Sequence, residues 1–256
     1  MSAAQTLQGK SALVTGGFSG LGLHFARVLA QQGARVVLGG RRLELGRACA
    51  DQLVIEGLDA HALALDVTQP ESVQQGFDAA CAWIGSAPDI VVNNAGVAHT
   101  APALEVAPQE WQDLINVNLS GSFFVAQAAA RALIAAGKGG SIVNIASILG
   151  LRVAQQVPAY AVAKAGLIQL TKALALEWAR YGIRVNALAP GYVDTDLNHD
   201  FFAGAAGQAL IKRIPQRRLG KASELDGALL LLAGDASTYM TGSVLAVDGG
   251  HLVNSL

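Results

Sequence analysis

Short apolar, mostly β-branched runs alternate along the chain with longer stretches of helical character. Seven runs read as strands: Ser11 to Val14, Arg35 to Leu38, Ala60 to Leu65, Ile90 to Val92, Ser141 to Ile145, Ile183 to Leu188 and Ser243 to Val247. They are nearly continuous in apolar character rather than alternating, the pattern of strands covered on both faces, and the segments between them are long enough for crossover helices. Leu21 to Gln32, Gln109 to Ala136 and Pro158 to Tyr181 are Ala/Leu-rich. Gly33, Gly137 and Gly182 follow them where a helix C-terminal cap belongs. The pattern predicts an α/β fold: a doubly wound, parallel, seven-stranded sheet with helices on both faces, in one domain spanning 1–256. The irregular stretch 191–220, which holds Phe201-Phe202 and the basic run from Lys212 to Arg218, reads as a lid over a substrate.

Composition narrows the partners. Of 256 residues, 52% are hydrophobic and 14% charged, which excludes a disordered chain and leaves apolar surface to spare for subunit contacts. Lys and Arg number 18 against 19 Asp and Glu, and no basic run forms a phosphate-backbone footprint, so no nucleic-acid partner is expected. Cys49 and Cys81 lack CxxC spacing and the five histidines lack metal-ligand spacing, so neither a metal nor a disulfide framework is predicted. Met1 to Gln8 has no signal-peptide pattern. Leu114 to Ala130 is interrupted by Asn116, Asn118, Ser120, Ser122 and Gln127 and makes a poor membrane span. The expectation is a soluble cytoplasmic protein with no membrane partner.

The first chemical signal follows the first strand. Thr15-Gly16-Gly17-Phe18-Ser19-Gly20-Leu21-Gly22 is a glycine-rich turn that opens a helix, the Rossmann arrangement in which backbone N–H groups and the helix dipole meet a pyrophosphate. At the end of the second strand, where an acid would bind the adenosine ribose hydroxyls, the chain reads Gly39-Gly40-Arg41-Arg42, with no acid before Glu44. Two guanidiniums there would hold a 2′-phosphate, so NADP(H) is favoured and NAD(H) is the weaker alternative.

The second signal is Ser147, Tyr160 and Lys164. Tyr160 and Lys164 stand one helical turn apart on one face. A phenol titrates near 10, too high for efficient proton transfer at neutrality. An ammonium at about 4 Å in an effective dielectric of about 20 would favour the phenolate by roughly 4 kcal/mol, about 3 pKa units, bringing Tyr160 close to 7. Ser147, on the loop after the fifth strand, could hold a substrate oxygen in line with the phenol.

Together these residues resemble the short-chain dehydrogenase/reductases, in their compact single-domain branch. The resemblance runs from the Thr15 to Gly22 turn through Asp66-Val67, Asn93-Asn94-Ala95-Gly96, Asn118 in Asn116-Val117-Asn118-Leu119, Ser147 in Asn144-Ile145-Ala146-Ser147 and Tyr160-Ala161-Val162-Ala163-Lys164 to Pro190-Gly191-Tyr192-Val193-Asp194-Thr195, with thirteen residues from Ser147 to Tyr160. It implies that Tyr160 is the acid/base group, that Ser147 steadies the carbonyl or alcohol oxygen, that Lys164 binds the nicotinamide ribose and lowers the tyrosine pKa, and that Asn118 holds a water in a proton relay. It further implies cofactor contacts from Gly16, Phe18, Ser19, Gly20, Leu21, Gly22, Arg41 and Arg42; from Asp66 and Val67 at the adenine; from Asn94, Ala95 and Gly96 along the ribose; and from Pro190, Gly191, Val193 and Thr195 at the nicotinamide. Ser19 departs from the basic residue that NADP(H)-preferring members often place there.

The expected substrate pocket holds His99, Leu149, Arg152, Gln156, Tyr192, Leu197, Phe201 and Phe202, mostly apolar with a few polar anchors. The resemblance implies a small-molecule ketone or alcohol as substrate and a homotetramer built through the two long helices and the last strand. A 3-oxoacyl thioester reductase is the alternative. Such reductases dock an acidic carrier on basic residues; Arg131 is suitably placed, but Leu176 stands before Glu177 where an Arg is expected. An alternative of another class is a nucleotide-binding subunit without turnover.

Overall fold

The computed structural model describes residues 6–195 and 199–254. Seven parallel strands form one sheet in the order β3-β2-β1-β4-β5-β6-β7: β1 Ser11–Thr15, β2 Arg35–Gly40, β3 Ala60–Ala64, β4 Ile90–Asn93, β5 Gly140–Ile145, β6 Ile183–Pro190 and β7 Val244–Val247. The helices are α1 Gly20–Gln31, α2 Leu43–Ile55, α3 Pro70–Ile84, α4 Pro108–Ile115, α5 Gly121–Ala135, α6 Pro158–Trp178, α7 His199–Ala203, α8 Ala205–Ile211 and α9 Asp226–Ala233.

Alternate residues of each central strand enter two separate cores. Val14, Leu38, Val92 and Val143 pack with Phe25 and Leu29 of α1, Leu53 of α2 and Leu229 of α9. Their neighbours Leu13, Val37, Val91 and Ile142 pack with Phe77 of α3 and Val125 and Leu133 of α5. Burial on both sides is why these strands read as continuous apolar runs. The glycines expected as helix stops are in the left-handed region, with φ of 93° at Gly33, 65° at Gly137 and 71° at Gly182.

The pairing of β1 with both β2 and β4 is the point where strand order reverses, and there the carboxyl ends of the strands open a crevice. Two strands reach farther into it than the apolar runs suggest. β2 extends to Gly39 and Gly40, and β6 to Pro190.

The long helix predicted from Gln109 to Ala136 is present as one helical span, Pro108–Ala135, with a π-turn at Asn116–Ser120 joining α4 to α5. The combined span Pro108–Ala135 is long and apolar enough by length and composition to cross a membrane, but half of its most apolar window is buried inside the protein and Val125, Ala126 and Leu133 lie in the core. Segment 191–220 carries the two short helices α7 and α8 and returns through a parallel bridge between Val193 and Gly220.

Candidate active site

A cleft of about 1510 Å³ runs along the carboxyl ends of the strands. Its nucleotide end is shaped by close backbone approach. Gly16 has φ of 63°, and a Cβ on Gly22 would lie 2.1 Å from the Gly16 carbonyl oxygen and 2.4 Å from Asn94 Nδ2. Gly20, with φ of 51°, has nothing within 4 Å of where its Cβ would stand. The turn is thus tight on one side and open on the other, the shape a phosphate group fits.

Asn94 holds this turn in place. Its Nδ2 donates to the carbonyls of Thr15 and Gly16, at 3.0 and 3.3 Å. The Thr15 hydroxyl accepts from the backbone N–H groups of Asn94 and Ala95, both at 3.1 Å. Thr15 was not among the expected site residues, although it opens the glycine turn. Phe18 borders the cleft, but its buried ring fills the space beside Gly40 and Gly46, where a Cβ would approach it to 2.6 and 2.4 Å. Arg41 and Arg42 are exposed on the cleft wall and form no ion pair among the described residues. Asp66 accepts from the N–H and hydroxyl of Thr68 at 3.0 and 2.8 Å. Val67, Ser19, Leu21 and Gly96 also line the cleft, as do Pro190, Gly191, Val193 and Thr195 at its far side.

The middle of the cleft rests on a buried amide network. Asn93 Nδ2 donates to Asn144 Oδ1 at 2.8 Å, and Asn144 Nδ2 to the Thr171 hydroxyl at 2.9 Å, tying β4, β5 and α6 together beneath the site. Such a network fixes Ser147, which follows β5, against Tyr160 and Lys164 on α6. Ser147 Oγ accepts from the N–H of Leu149 at 3.1 Å. Lys164 Nζ donates to the Ile145 carbonyl at 2.8 Å and lies 5.6 Å from the centre of the Tyr160 ring.

The expected activation of Tyr160 to near 7 is not what this geometry gives. Burial pushes the phenol above its ordinary value; hydrogen bonding with Ser147 opposes the shift and Tyr192 adds to it. Lys164 is itself buried, which pushes its ammonium down to about 8. Desolvation leads for both groups, and the Lys164 ammonium is anchored to the Ile145 carbonyl.

Asn118 is buried on the π-turn, and its side chain is committed to backbone. Nδ2 donates to Val97 and Leu114 carbonyls at 2.9 and 3.1 Å, and Oδ1 accepts from the Val97 N–H at 3.3 Å. Asn118 Oδ1 and Lys164 Nζ nevertheless meet beside Gly96, 2.8 and 3.6 Å from the position of a Cβ there.

At the substrate end the cleft gathers Leu149, Arg152, Gln156, Tyr192, Phe201 and Phe202. Tyr192 packs on Phe202 with ring centres 5.7 Å apart, and Phe202 on Phe201 at 5.0 Å. His99 is the exception: Ala98 and Thr100 line the cleft but His99 does not, its exposed ring standing 3.6 Å from Glu110. Leu197 lies outside the described residues. Sequence reasoning missed His251, Arg213 and Asn254, which also line this end. Their positions depend on the chain end folding back: the Tyr192 and His251 rings are 5.5 Å apart, and Arg152 Nη1 donates to the His251 carbonyl. No local motif marks such a return.

The family model described as Enoyl-(Acyl carrier protein) reductase matches residues 16–251. D-threitol dehydrogenase of Mycolicibacterium smegmatis is 40% identical over 247 residues, covering 96% of this chain and 94% of that protein. The chain belongs to the short-chain dehydrogenase/reductase family. Among other members, a 3-oxoacyl-[acyl-carrier-protein] reductase of Chlamydia trachomatis is 40% identical over 95% of this chain and 98% of that protein. The crystal structure of a gluconate 5-dehydrogenase from Burkholderia cenocepacia, in complex with NADP and tartrate, superposes with a TM-score of 0.94 at 40% identity, covering 98% of each chain. As a short-chain dehydrogenase/reductase the protein is an NAD(P)-dependent oxidoreductase.

Proposed function

We propose that this short-chain dehydrogenase/reductase interconverts the carbonyl and secondary alcohol of a small molecule using NADP(H), with Tyr160 as the acid/base group. The observation that carries the reading is the meeting of Ser147, Tyr160 and Lys164 in one cleft with a glycine-lined anion cradle at its other end. The cradle fits the cofactor: Gly16, Gly20 and Gly22 leave room for its pyrophosphate, Asp66 and Val67 border the adenine position, and Asn94 to Gly96 and Pro190 to Thr195 flank its riboses and nicotinamide. Arg41 and Arg42, exposed and without acidic partners among the described residues, favour the 2′-phosphate of NADP(H) over NAD(H). NADP is also the nucleotide in the gluconate 5-dehydrogenase structure.

The cofactor, when bound, supplies or accepts the hydride. In the reducing direction the Tyr160 hydroxyl gives its proton to the carbonyl oxygen as the carbon gains the hydride, and the Ser147 hydroxyl donates to the same oxygen. The Lys164 ammonium offsets the phenolate charge. A water beside Asn118, Gly96 and Lys164 returns a proton from solvent. Raised by burial, the phenol is held protonated at neutral pH, the form that reduction needs. Tyr160→Phe should lower kcat by about 10²- to 10⁴-fold, while fluorescence titration shows NADPH binding retained. Turnover equal to wild type would overturn the assignment.

Segment 191–220 acts as the lid of a single domain, and the protein works as a soluble, cytoplasmic homotetramer. Support for assembly is the outer face of α6, where Val162 is 48% and Leu176 84% exposed. Sedimentation giving a monomer at micromolar concentration would refute it. The thioester-reductase reading has exposed Arg131 in its favour, but the exposed Leu176 removes a docking charge.

A further inference from the structure

The chain end brings to the cleft a buried polar side chain that the proposed reaction does not use. Beyond β7, Gly249 and Gly250 take left-handed φ of 62° and 84° and lead into a short helical turn, His251–Val253. Asp248 closes that turn, accepting from the N–H groups of Gly250 and Leu252 at 2.9 and 2.7 Å. Arg152 Nη1 donates to the His251 carbonyl and Asn254 Nδ2 to the Arg213 carbonyl at 2.6 Å, so the turn is tied to two other segments. His251 is therefore held in place: it is 6% exposed, and what remains of its surface borders the cleft.

Its Nδ1 is buried and has no hydrogen-bond partner among the described residues. Burial first, then Arg152, hold the imidazole below its ordinary value, with Asp248 opposing the shift and Arg213 adding to it, so the ring is neutral at pH 7 and carries one proton. Orphaned buried N–H groups are rarer than orphaned acceptors, which assigns that proton to Nε2. Nε2 bonds to no described residue and is not sealed in as Nδ1 is, leaving an N–H donor at the cleft wall. Tyr192 links this donor to the reaction centre: its ring centre is 5.5 Å from that of His251, and its phenol is near enough to Tyr160 to push the Tyr160 hydroxyl up. We propose that His251 is a specificity-determining residue that donates from Nε2 to a second oxygen of the substrate, apart from the oxygen that reacts at Tyr160. This rests on the dehydrogenase reading and adds the substrate class, a ketone or alcohol that carries a further hydrogen-bond acceptor. A purely alkyl substrate would cover the donor without satisfying it, and is disfavoured for that reason.

The test uses two pairs of ketones matched in length, methoxyacetone with 2-pentanone and 4-methoxy-2-butanone with 2-hexanone, in which an ether oxygen replaces one methylene. Initial rates are taken with NADPH, and binding to the protein loaded with NADP is followed by calorimetry. In at least one pair, His251→Leu should lower the ether-to-alkyl ratio of kcat/KM by about tenfold, mainly through KM. Comparing that ratio between wild type and variant cancels the intrinsic difference in reactivity, and any loss of Tm falls equally on both ketones. His251→Gln, whose amide offers an N–H donor at the reach of Nε2, should restore most of the ratio, which a merely structural ring would not require. A ratio equal in wild type and His251→Leu for both pairs overturns the His251 site and leaves the dehydrogenase reading standing. A ratio that His251→Gln fails to restore overturns the donor role. Tighter binding of an ether than of its alkyl counterpart, lost in His251→Leu and without turnover of any ketone, keeps the site and overturns that reading. Neither binding nor turnover of any of these ketones overturns the site.

Discussion

The nucleotide end and the substrate end of the cleft are built from different materials. The first is main chain: strand ends, a glycine turn at 2.1 Å clearance from a Cβ that is not there, and Asn94 bonded to the carbonyls of that turn. The second is side chain, with Arg152, Tyr192, Phe202, Arg213 and His251 drawn from separate segments, the last near the chain end. Main-chain geometry tolerates few substitutions and therefore specifies the cofactor. Side chains on loops and short helices can be exchanged without disturbing the sheet, so in the proposed reading substrate choice falls to that end.

The sharpest way to break the comparison is a single methyl group at the nucleotide end. Gly22→Ala places a Cβ against the Gly16 carbonyl and Asn94, neither of which can withdraw without opening the turn. The expected outcome is a loss of about 1–3 kcal/mol in stability and of detectable NADPH binding, checked by denaturant titration and fluorescence. Tight binding in the variant would show that the cradle is pliable and that the contrast between the two ends is false.

The same contrast explains what could be read in advance. Leu13 and Val14 face opposite cores, so doubly covered strands announce themselves as apolar runs, and Gly33, Gly137 and Gly182 mark helix ends because left-handed backbone favours glycine. Gly16 to Gly22 and the Tyr160–Lys164 pair are legible for the same reason: their spacing is local. The π-turn at Asn116–Ser120 has no comparable signature: the partner of its Asn118 side chain, Val97, is 21 residues away in sequence. His251 and Arg213 reach the cleft only through tertiary folding, and His99 has the right chemistry on the wrong side of its loop.

Lys164 joins the two ends, and its titration offers the next largest effect. Burial puts its pKa at about 8 against an ordinary value near 10.5, so between those values the unfolded chain binds more protons than the folded one. Stability therefore rises as pH climbs through that window, and the cost of burying the ammonium, roughly 3 kcal/mol at most, is fully present below it. In thermal melts, the Tm difference between Lys164→Met and wild type should move in favour of wild type from pH 7.5 to pH 10. The kcat/KM for carbonyl reduction should fall as pH rises through about 8, where Lys164 loses its proton. A flat profile from pH 7 to 9 would remove the ammonium from the reaction.

Cofactor preference is a smaller effect and tests side chains at the main-chain end. Arg42→Ala deletes a guanidinium on the cleft wall without touching the turn. Its expected signature is a rise of about tenfold in KM for NADPH with KM for NADH moving less than twofold. Equal changes for both nucleotides would mean that Arg42 acts through the start of α2, where it stands, rather than on the 2′-phosphate.

The smallest effect belongs to His99, where the placement of one residue decides between two readings of its loop. Its neighbours Ala98 and Thr100 face the cleft, and its own ring, half exposed, faces Glu110 at 3.6 Å. An exposed pair of that kind contributes less than about 1 kcal/mol, and nothing in the geometry connects it to Tyr160. His99→Ala should therefore change kcat/KM by less than about twofold. A fall of tenfold would move the loop from the wall of the cleft into the substrate end and make its side chains a third element of specificity.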